Sequence, residues 1–302
     1  ETKPDSVFAR GHGAPGARTL TLPSGNWSIV KGSSNAAYNV STGKWTLTYN
    51  YADSLNNSSV GGYFEFIFKL GGSGGGGVQV SPKVLLEGAY NSGAGTMNDN
   101  LRSGNLIPIS QPYSNMPGFT HVNGGGTEQT TAAVLAVTGN NAIVDWVFLQ
   151  LRDKNNSSNV IATRAALVQR DGDIVDVDGT SAVNFNVAPD NYFVAIRHRN
   201  HLGVMKSTVT ALSGTTTTID FTAAGTPVYG TNARKDLGGG KLGLFGGDLN
   251  GSGTVDAADR SKAWNERNQS GYLQSDGTMD GVTSAADRSL TWNNRNLVAQ
   301  LP

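Results

Sequence analysis

The chain contains no cysteine. That excludes disulfides, thiolate nucleophiles and thiolate metal sites, although it says nothing for a cytosolic location. Charge is scarce as well. Charged residues make up 15% and the formal net charge is zero, so no bulk field draws nucleic acid or an anionic membrane. No apolar run approaches the ~20 residues that span a bilayer. A catalytic signature is also missing, since there is no His-Glu-x-x-His helix, and the one Gly-x-Ser-x-Gly match, Gly71–Gly75, falls inside a glycine run. Without a nucleophile or acid–base constellation, the expectation is a protein that is not an enzyme. What the chain has in quantity is glycine, at 40 residues, with many Ser, Thr and Asn. Such a composition suits β-rich folds with frequent turns.

The strongest pattern lies near the C-terminus. The run Asp248-Leu-Asn250-Gly-Ser252-Gly253-Thr254-Val255-Asp256-Ala-Ala-Asp259 returns as Asp276-Gly-Thr278-Met-Asp280-Gly281-Val282-Thr283-Ser284-Ala-Ala-Asp287. Each copy runs into nearly the same tail, Arg260 to Asn268 and Arg288 to Asn296. A hard cation such as Ca²⁺ takes six to eight oxygens, and a loop of about twelve residues supplies them from positions 1, 3, 5, 7, 9 and 12. In the first copy these are Asp248, Asn250, Ser252, the Thr254 carbonyl, Asp256 and Asp259. In the second they are Asp276, Thr278, Asp280, the Val282 carbonyl, Ser284 and Asp287. Position 6 needs a positive φ and is Gly253 or Gly281. Position 8 is usually apolar; Val255 fits and Thr283 fits poorly. The expectation is two Ca²⁺ ions. The second site should be the weaker, because Thr278 and Ser284 are poor substitutes for amide or carboxylate oxygens. A pair of metal-free Asp/Asn/Gly turns is the bland alternative, and the duplication argues against it.

With Asp at position 12, the doubling and a short helix after each loop, residues 247–302 resemble a type I dockerin. The resemblance implies two calcium loops, each followed by a helix. Dockerins read cohesin through loop positions 10 and 11, which here are Ala257-Ala258 and Ala285-Ala286. Bare methyl groups cannot hydrogen-bond a partner. A module that folds around calcium and packs on its own neighbours suits those positions better.

The rest divides by composition. Residues 1–70 read as a small β domain with strands at Thr19–Leu22, Trp27–Val30, Lys44–Tyr51 and Gly62–Leu70. The glycine-rich run 71–77 reads as a flexible linker; it is not a phosphate loop, because no Lys-Ser/Thr follows. Residues 78–230 read as a β-sandwich, with strands at Val78–Leu86, Ala133–Val137, Ile143–Leu151, Val160–Gln169, Ser181–Val187, Tyr192–His198, Thr208–Leu212 and Thr217–Phe221. Residues 231–246 read as a second linker before the module at 247–302. Ala188-Pro-Asp-Asn-Tyr192 resembles the strand start of immunoglobulin-like domains, where a Tyr pins a corner. Met97–Arg102, Val144–Val147, Leu167–Gly172 and Ile196–Gly203 together resemble a domain of secreted, repeat-bearing bacterial surface proteins. That domain commonly precedes a dockerin-like end. The stretch 91–131 shows no clear strand, and a loop so long is usually functional or lies against a partner.

Two polar clusters remain. Arg197-His198-Arg199-Asn200-His201 lacks an acidic partner at a fixed spacing, and a strand running out into a turn with alternating polar side chains explains it better than a zinc or catalytic site. Asp171-Gly-Asp173-Ile-Val-Asp176-Val-Asp178 could hold a third cation or an acid pair. A tight Asp-Gly turn leading into an acidic-faced strand suits it better.

The expected fold class is thus mainly β: a small N-terminal sheet domain, an immunoglobulin-like β-sandwich and a small α-helical module with two calcium loops. The expected role is a secreted, non-enzymatic structural or adhesive protein of the cell surface. Its most concrete form is a self-assembling, calcium-stabilised subunit of an extracellular filament or surface layer, with copies of itself as partners. The initial Glu1 fits an N-terminus trimmed of a signal peptide, and loops of this kind belong where Ca²⁺ is millimolar. The alternative is an accessory protein of an extracellular complex. It would bind glycans through Trp27, Trp45, Tyr49 or Tyr51, or dock on a cohesin-like scaffold. Neither reading involves nucleic acid or a membrane span.

Overall fold

The structure is a computed structural model describing residues 6–12, 16–21, 27–31, 36–39, 44–49, 63–70 and 77–302, with only the strand backbone given before 77. The chain divides into two units, Glu1–Gly76 and Gly77–Pro302. The expected linker at 71–77 falls on that division, and its residues 71–76 lie outside those described.

The first unit carries six strands among the described residues: β1 (Ser6–His12), β2 (Gly16–Thr21), β3 (Trp27–Lys31), β4 (Ala36–Asn39), β5 (Lys44–Tyr49) and β6 (Tyr63–Leu70). They form two antiparallel three-stranded sheets, β1-β6-β3 and β2-β5-β4. The expectation of four strands in one sheet missed β1 and β4. Both are short runs in which Gly, Arg and His, or Ala and Asn, interrupt any apolar alternation.

The second unit contains β7 (Val78–Lys83), β8 (Tyr90–Asn91), β9 (Thr96–Met97), β10 (Ile143–Asp153), β11 (Val160–Gln169), β12 (Ile174–Val175), β13 (Val183–Phe185), β14 (Asp190–Arg197), β15 (Val204–Met205), β16 (Thr210–Leu212), β17 (Thr217–Asp220), β18 (Lys235–Gly238) and β19 (Lys241–Gly243). Its helices are α1 (Asn100–Ser103), α2 (Ala132–Leu135), α3 (Ala257–Asn265) and α4 (Ala285–Asn293). One sheet runs β12-β11-β10-β14-β15, with β16 also on β14; a second runs β13-β7-β17. Side chains of both enter one core, including Val78 and Val80 from β7, Trp146 and Phe148 from β10 and Ala165 from β11. The arrangement is mainly β and compatible with a β-sandwich. Tyr192 sits at the start of β14 and donates its hydroxyl to the Ala188 carbonyl at 2.7 Å. That is the corner-pinning contact its sequence context suggested.

Strand β10 is buried on both faces from Ile143 to Arg152. One face meets the opposing sheet. The other is covered by the stretch 91–131, which lies on its own domain. Tyr113 from that stretch is fully buried and donates to the Trp146 carbonyl at 2.8 Å. The Trp146 indole donates back to the Pro108 carbonyl at 2.9 Å, so neither aromatic leaves a polar atom unpaired.

Two further expectations change, and the reading of the acidic run as a turn into a strand stands. Ala133–Val137 is not a strand: Ala132–Leu135 is a helical turn, capped by Thr131 Oγ1 accepting from Val134 N at 3.3 Å. Two alanines lower strand preference, and Thr supplies the cap. Residues 231–246, read as a linker, carry the β18–β19 hairpin and end in buried Leu244, which donates its backbone N–H to Leu85 O at 2.8 Å. The acidic run at 171–178 forms the β11–β12 turn, where Gly172 has φ +95°. Its carboxylates turn to separate partners: Asp173 to Lys83, Asp176 to Arg164, Asp178 to Ser181.

Candidate metal centres

The two C-terminal loops fold alike because their sequences repeat. Gly253 and Gly281 take φ +86° and +93° at the sharp turn, a region that a side chain would strain. The turn aims backbone N–H groups at the first carboxylate. Asp248 Oδ2 accepts from Gly253 N at 2.9 Å, and Asp276 Oδ2 accepts from Gly281 N at 2.8 Å. The last carboxylate closes the loop. Asp259 accepts from Asn250 N at 3.1 Å and Asp256 N at 2.8 Å; Asp287 accepts from Thr278 N at 2.9 Å and Ser284 N at 2.6 Å. The same residues start the helices. Asp256 caps α3 and Ser284 caps α4, each completed by a carboxylate three residues on, as in a capping box.

Asp248, Asp259, Asp276 and Asp287 are all buried. Burial pushes Asp248 up to about 7, and the neighbouring Asp259 charge adds to the rise against the Gly253 N–H bond. Burial likewise pushes Asp276 up to about 6, opposed by Arg199 and reinforced by Asp287. Among the described residues none of the six loop carboxylates, Asp256 and Asp280 included, has a Lys, Arg or His within ion-pair distance. Two buried like charges facing each other without a counter-cation suit a bound divalent ion.

The oxygens around them are chiefly neutral: Asn250, Ser252 and the Thr254 carbonyl in the first loop, Thr278, Ser284 and the Val282 carbonyl in the second. No group of three or more His, Cys, Asp or Glu side chains is gathered for a metal among the described residues. Asp256 and Asp280 lie at the exposed rim, with Asp256 Oδ1 taken up by Ala258 N and Asp280 Oδ1 by Val282 N. The donor set, two enclosed carboxylates and several neutral oxygens, fits Ca²⁺ and not a softer metal.

Thr283 fits its position better than expected. It is fully buried, and its hydroxyl shares a 2.7 Å hydrogen bond with Ser275 Oγ. Each loop is also pinned by the chain that leaves the other copy's helix. Val255 N donates to Leu297 O at 2.9 Å, after α4; Thr283 N donates to Gln269 O at 2.9 Å, after α3. The two loops therefore hold each other in register.

Strand β14 runs out into a turn at the 197–201 cluster as expected, but the polar side chains there do not alternate with buried ones. His198, Arg199, Asn200 and His201 are all buried, and the acidic partner comes from β10. Asp145 Oδ2 accepts from Arg199 Nε at 2.8 Å and lies 3.2 Å from His198 Nε2; Oδ1 accepts from the Tyr272 hydroxyl at 2.6 Å. Burial alone would raise the Asp145 carboxyl, but Arg199 and His198 hold it well below the usual carboxylate range. Burial lowers both imidazoles, His201 the more strongly, so both are neutral near pH 7. Gly88 N donates to His201 Nε2 at 3.1 Å. This leaves the His201 proton on Nδ1, 2.7 Å from Asn200 Oδ1.

This network reaches the second loop. Asn200 Nδ2 donates to Asp276 O at 2.6 Å, Arg199 Nη1 donates to Leu273 O, and Gln274 Nε2 donates to Arg199 O at 2.9 Å. The Arg199 guanidinium also stacks 4.3 Å from the Tyr272 ring. His198, Arg199, Asn200 and His201 are buried while Tyr272 and Gln274 are half-buried, and the cluster joins the loops to the sheets. The only sequence hint was Asp145 set amid apolar residues in Val144-Asp145-Trp146-Val147; its partners lie too far along the chain for spacing to reveal.

No family model and no curated protein matches the chain. Two solved structures from Acetivibrio cellulolyticus resemble it, both of mutants of a type II cohesin-X-dockerin complex. The N-terminal interface mutant is 15% identical, covering 59% of this chain and 94% of that one, with a TM-score of 0.30. The C-terminal interface mutant is 14% identical, covering 74% and 98%, with a TM-score of 0.33. Likeness at that level carries no argument about fold or partners.

Proposed function

We propose that this chain is a calcium-stabilised, non-catalytic structural component of an extracellular assembly, ending in a dockerin-like module fused to its own β-sandwich. The observation that carries the reading is the pair of enclosed carboxylates in each C-terminal loop, Asp248 with Asp259 and Asp276 with Asp287, set without cationic partners. Two Ca²⁺ ions would be held by Asp248, Asn250, Ser252, Thr254, Asp256 and Asp259, and by Asp276, Thr278, Asp280, Val282, Ser284 and Asp287. The ion supplies positive charge that the protein lacks there, and so favours the folded loops by mass action. The second site is the weaker: Thr278 and Ser284 already donate their hydroxyls to Asp287, at 2.9 and 3.1 Å.

The assembly we favour is one of repeated copies, a filament or surface layer outside the cell. Support comes from the first unit, whose strands β1, β3, β2 and β4 each pair on one side within their sheets among the described residues. Such edges accept a strand from a neighbour. Among the described residues no helix is long and apolar enough to cross a membrane. The glycan alternative at Trp27, Trp45, Tyr49 and Tyr51 falls on side chains outside those described. Negative-stain microscopy of the purified chain in millimolar calcium and in chelator tests the reading. Ordered polymers that loosen on chelation are expected; monodisperse particles in both buffers would contradict self-assembly.

A further inference from the structure

The helices α3 and α4 lie side by side and present a repeated outer face that the calcium loops do not use. Trp264 and Trp292 stand there 54% and 51% exposed, at equivalent places in the two copies. Each indole is flanked by two guanidiniums. Arg288 crosses from α4 to lie 5.3 Å from the Trp264 ring, and Arg260 crosses from α3 to lie 5.1 Å from Trp292. Arg267 and Arg295 sit 4.7 and 4.5 Å from the same two rings. They are tethered by Nη1 to the Trp264 and Trp292 carbonyls at 2.8 Å each.

None of these four arginines forms an ion pair among the described residues. The acids of the same helices are committed elsewhere. Asp259 and Asp287 are buried beneath, and the Glu266 carboxylate at the end of α3 is paired with Lys262 at 2.7 Å. In a chain of zero net charge, four uncompensated positive charges on one face mark a place for an anion. Stacking on the indoles fixes the guanidiniums in advance, which lowers the entropy lost when they engage carboxylates.

The groove between the helices encloses about 720 Å³ and has no aliphatic side chain larger than Ala257 and Ala285 in its lining. A protein segment is usually anchored in a pocket walled by aliphatic side chains; here the apolar lining is confined to the two indoles and the two alanine methyls. The lining instead combines indole walls, the amides of Asn265 and Asn293, and guanidiniums. Amides suit hydroxyls, and guanidiniums held in place on the indoles suit carboxylates in bidentate pairs. We propose that this face binds an acidic polysaccharide, a polymer of uronic acids, with its carboxylates on Arg260, Arg267, Arg288 and Arg295. The proposal adds a ligand to the structural role above and does not require self-assembly.

Calorimetry of the full chain in calcium buffer tests it, with a hexameric oligoglucuronate as probe. Cellohexaose serves as the neutral control and hexaglutamate as the acidic peptide control. We expect the oligoglucuronate alone to bind, at least tenfold more weakly in 500 mM than in 50 mM NaCl, with a change in tryptophan fluorescence. The double variants Arg260→Gln/Arg288→Gln and Trp264→Ala/Trp292→Ala should each weaken binding at least tenfold, with calcium stoichiometry unchanged. Absence of binding, equal binding of cellohexaose, or variants that bind like the parent would overturn the proposal. Hexaglutamate binding as tightly would assign the face to acidic peptides instead. If a variant fails to fold, the parent chain decides: an oligoglucuronate that leaves its tryptophan fluorescence unmoved rules the site out.

Discussion

Asp145 satisfies four donors from inside the sheet, among them the Arg199 guanidinium. Removing one partner of a buried ion pair leaves the other charge stranded, which costs about 3–5 kcal/mol. We therefore expect Asp145→Ala to lower unfolding free energy by about that much in urea titrations, whereas breaking the exposed, solvent-screened pair Lys154–Asp190 should change it far less. The two buried histidines set a pH response of definite sign. Their folded-state pKa values lie below 6.5, so the unfolded chain takes up protons that the folded chain refuses. The stability they contribute is complete above pH 6.5 and falls as the pH drops toward their folded values. In the calcium-free chain the raised Asp248 and Asp276 carboxyls act in the opposite sense over this range, so the histidine contribution is read as the difference in melting temperature between the chain and its His198→Gln/His201→Gln variant, which should shrink from pH 6.5 to pH 5. A difference that stays flat there would show that His198 and His201 are not buried as neutral rings. Calcium itself should follow the loop carboxylates. With Asp248 near 7 and Asp276 near 6, protons compete with the ion below those values. Affinity at the first site should drop by up to about tenfold per pH unit below 7.

At the scale of elements, the join between the sheets and the second loop is a close backbone approach. A Cβ on Gly88 would come 1.9 Å from Gly277 O, within that loop, and Asn200 spans the same seam to Asp276 O. We expect Gly88→Ala to push the loop away, lowering the melting temperature and weakening calcium at the second site while the first is unchanged; titration with a luminescent lanthanide would separate the two. The sequence made the loops themselves readable, because cation chemistry demands particular oxygens at fixed spacing and because the pattern is duplicated. It also made β10, β11 and β14 readable to within a few residues, from runs rich in Val, Ile, Leu and Phe. It hid the seam. Gly88, Asp145, Asn200 and Tyr272 are far apart along the chain, and nothing local marks a residue whose partner arrives from another element. The histidine cluster misled for a related reason: a run of polar residues suggests solvent, unless a buried carboxylate waits opposite. Ala133–Val137 misled because a short apolar run carries no periodicity with which to tell helix from strand.

For the whole molecule, the units 1–76 and 77–302 set the expectation for unfolding. The C-terminal loops share hydrogen bonds with the sheets through Arg199, Asn200 and Gln274. Calcium held there should therefore stabilise all of 77–302 as one cooperative block. The calcium-free chain keeps four enclosed carboxylates with no Lys, Arg or His at ion-pair distance among the described residues and should melt earlier. The most direct measurement is native mass spectrometry of the full chain with calcium, paired with calorimetric melting before and after chelation. Two Ca²⁺ per chain are expected, with the main transition shifted down on chelation and the first ion retained longer than the second. A chain that carries no Ca²⁺ in millimolar calcium and melts identically with chelator would contradict the central reading.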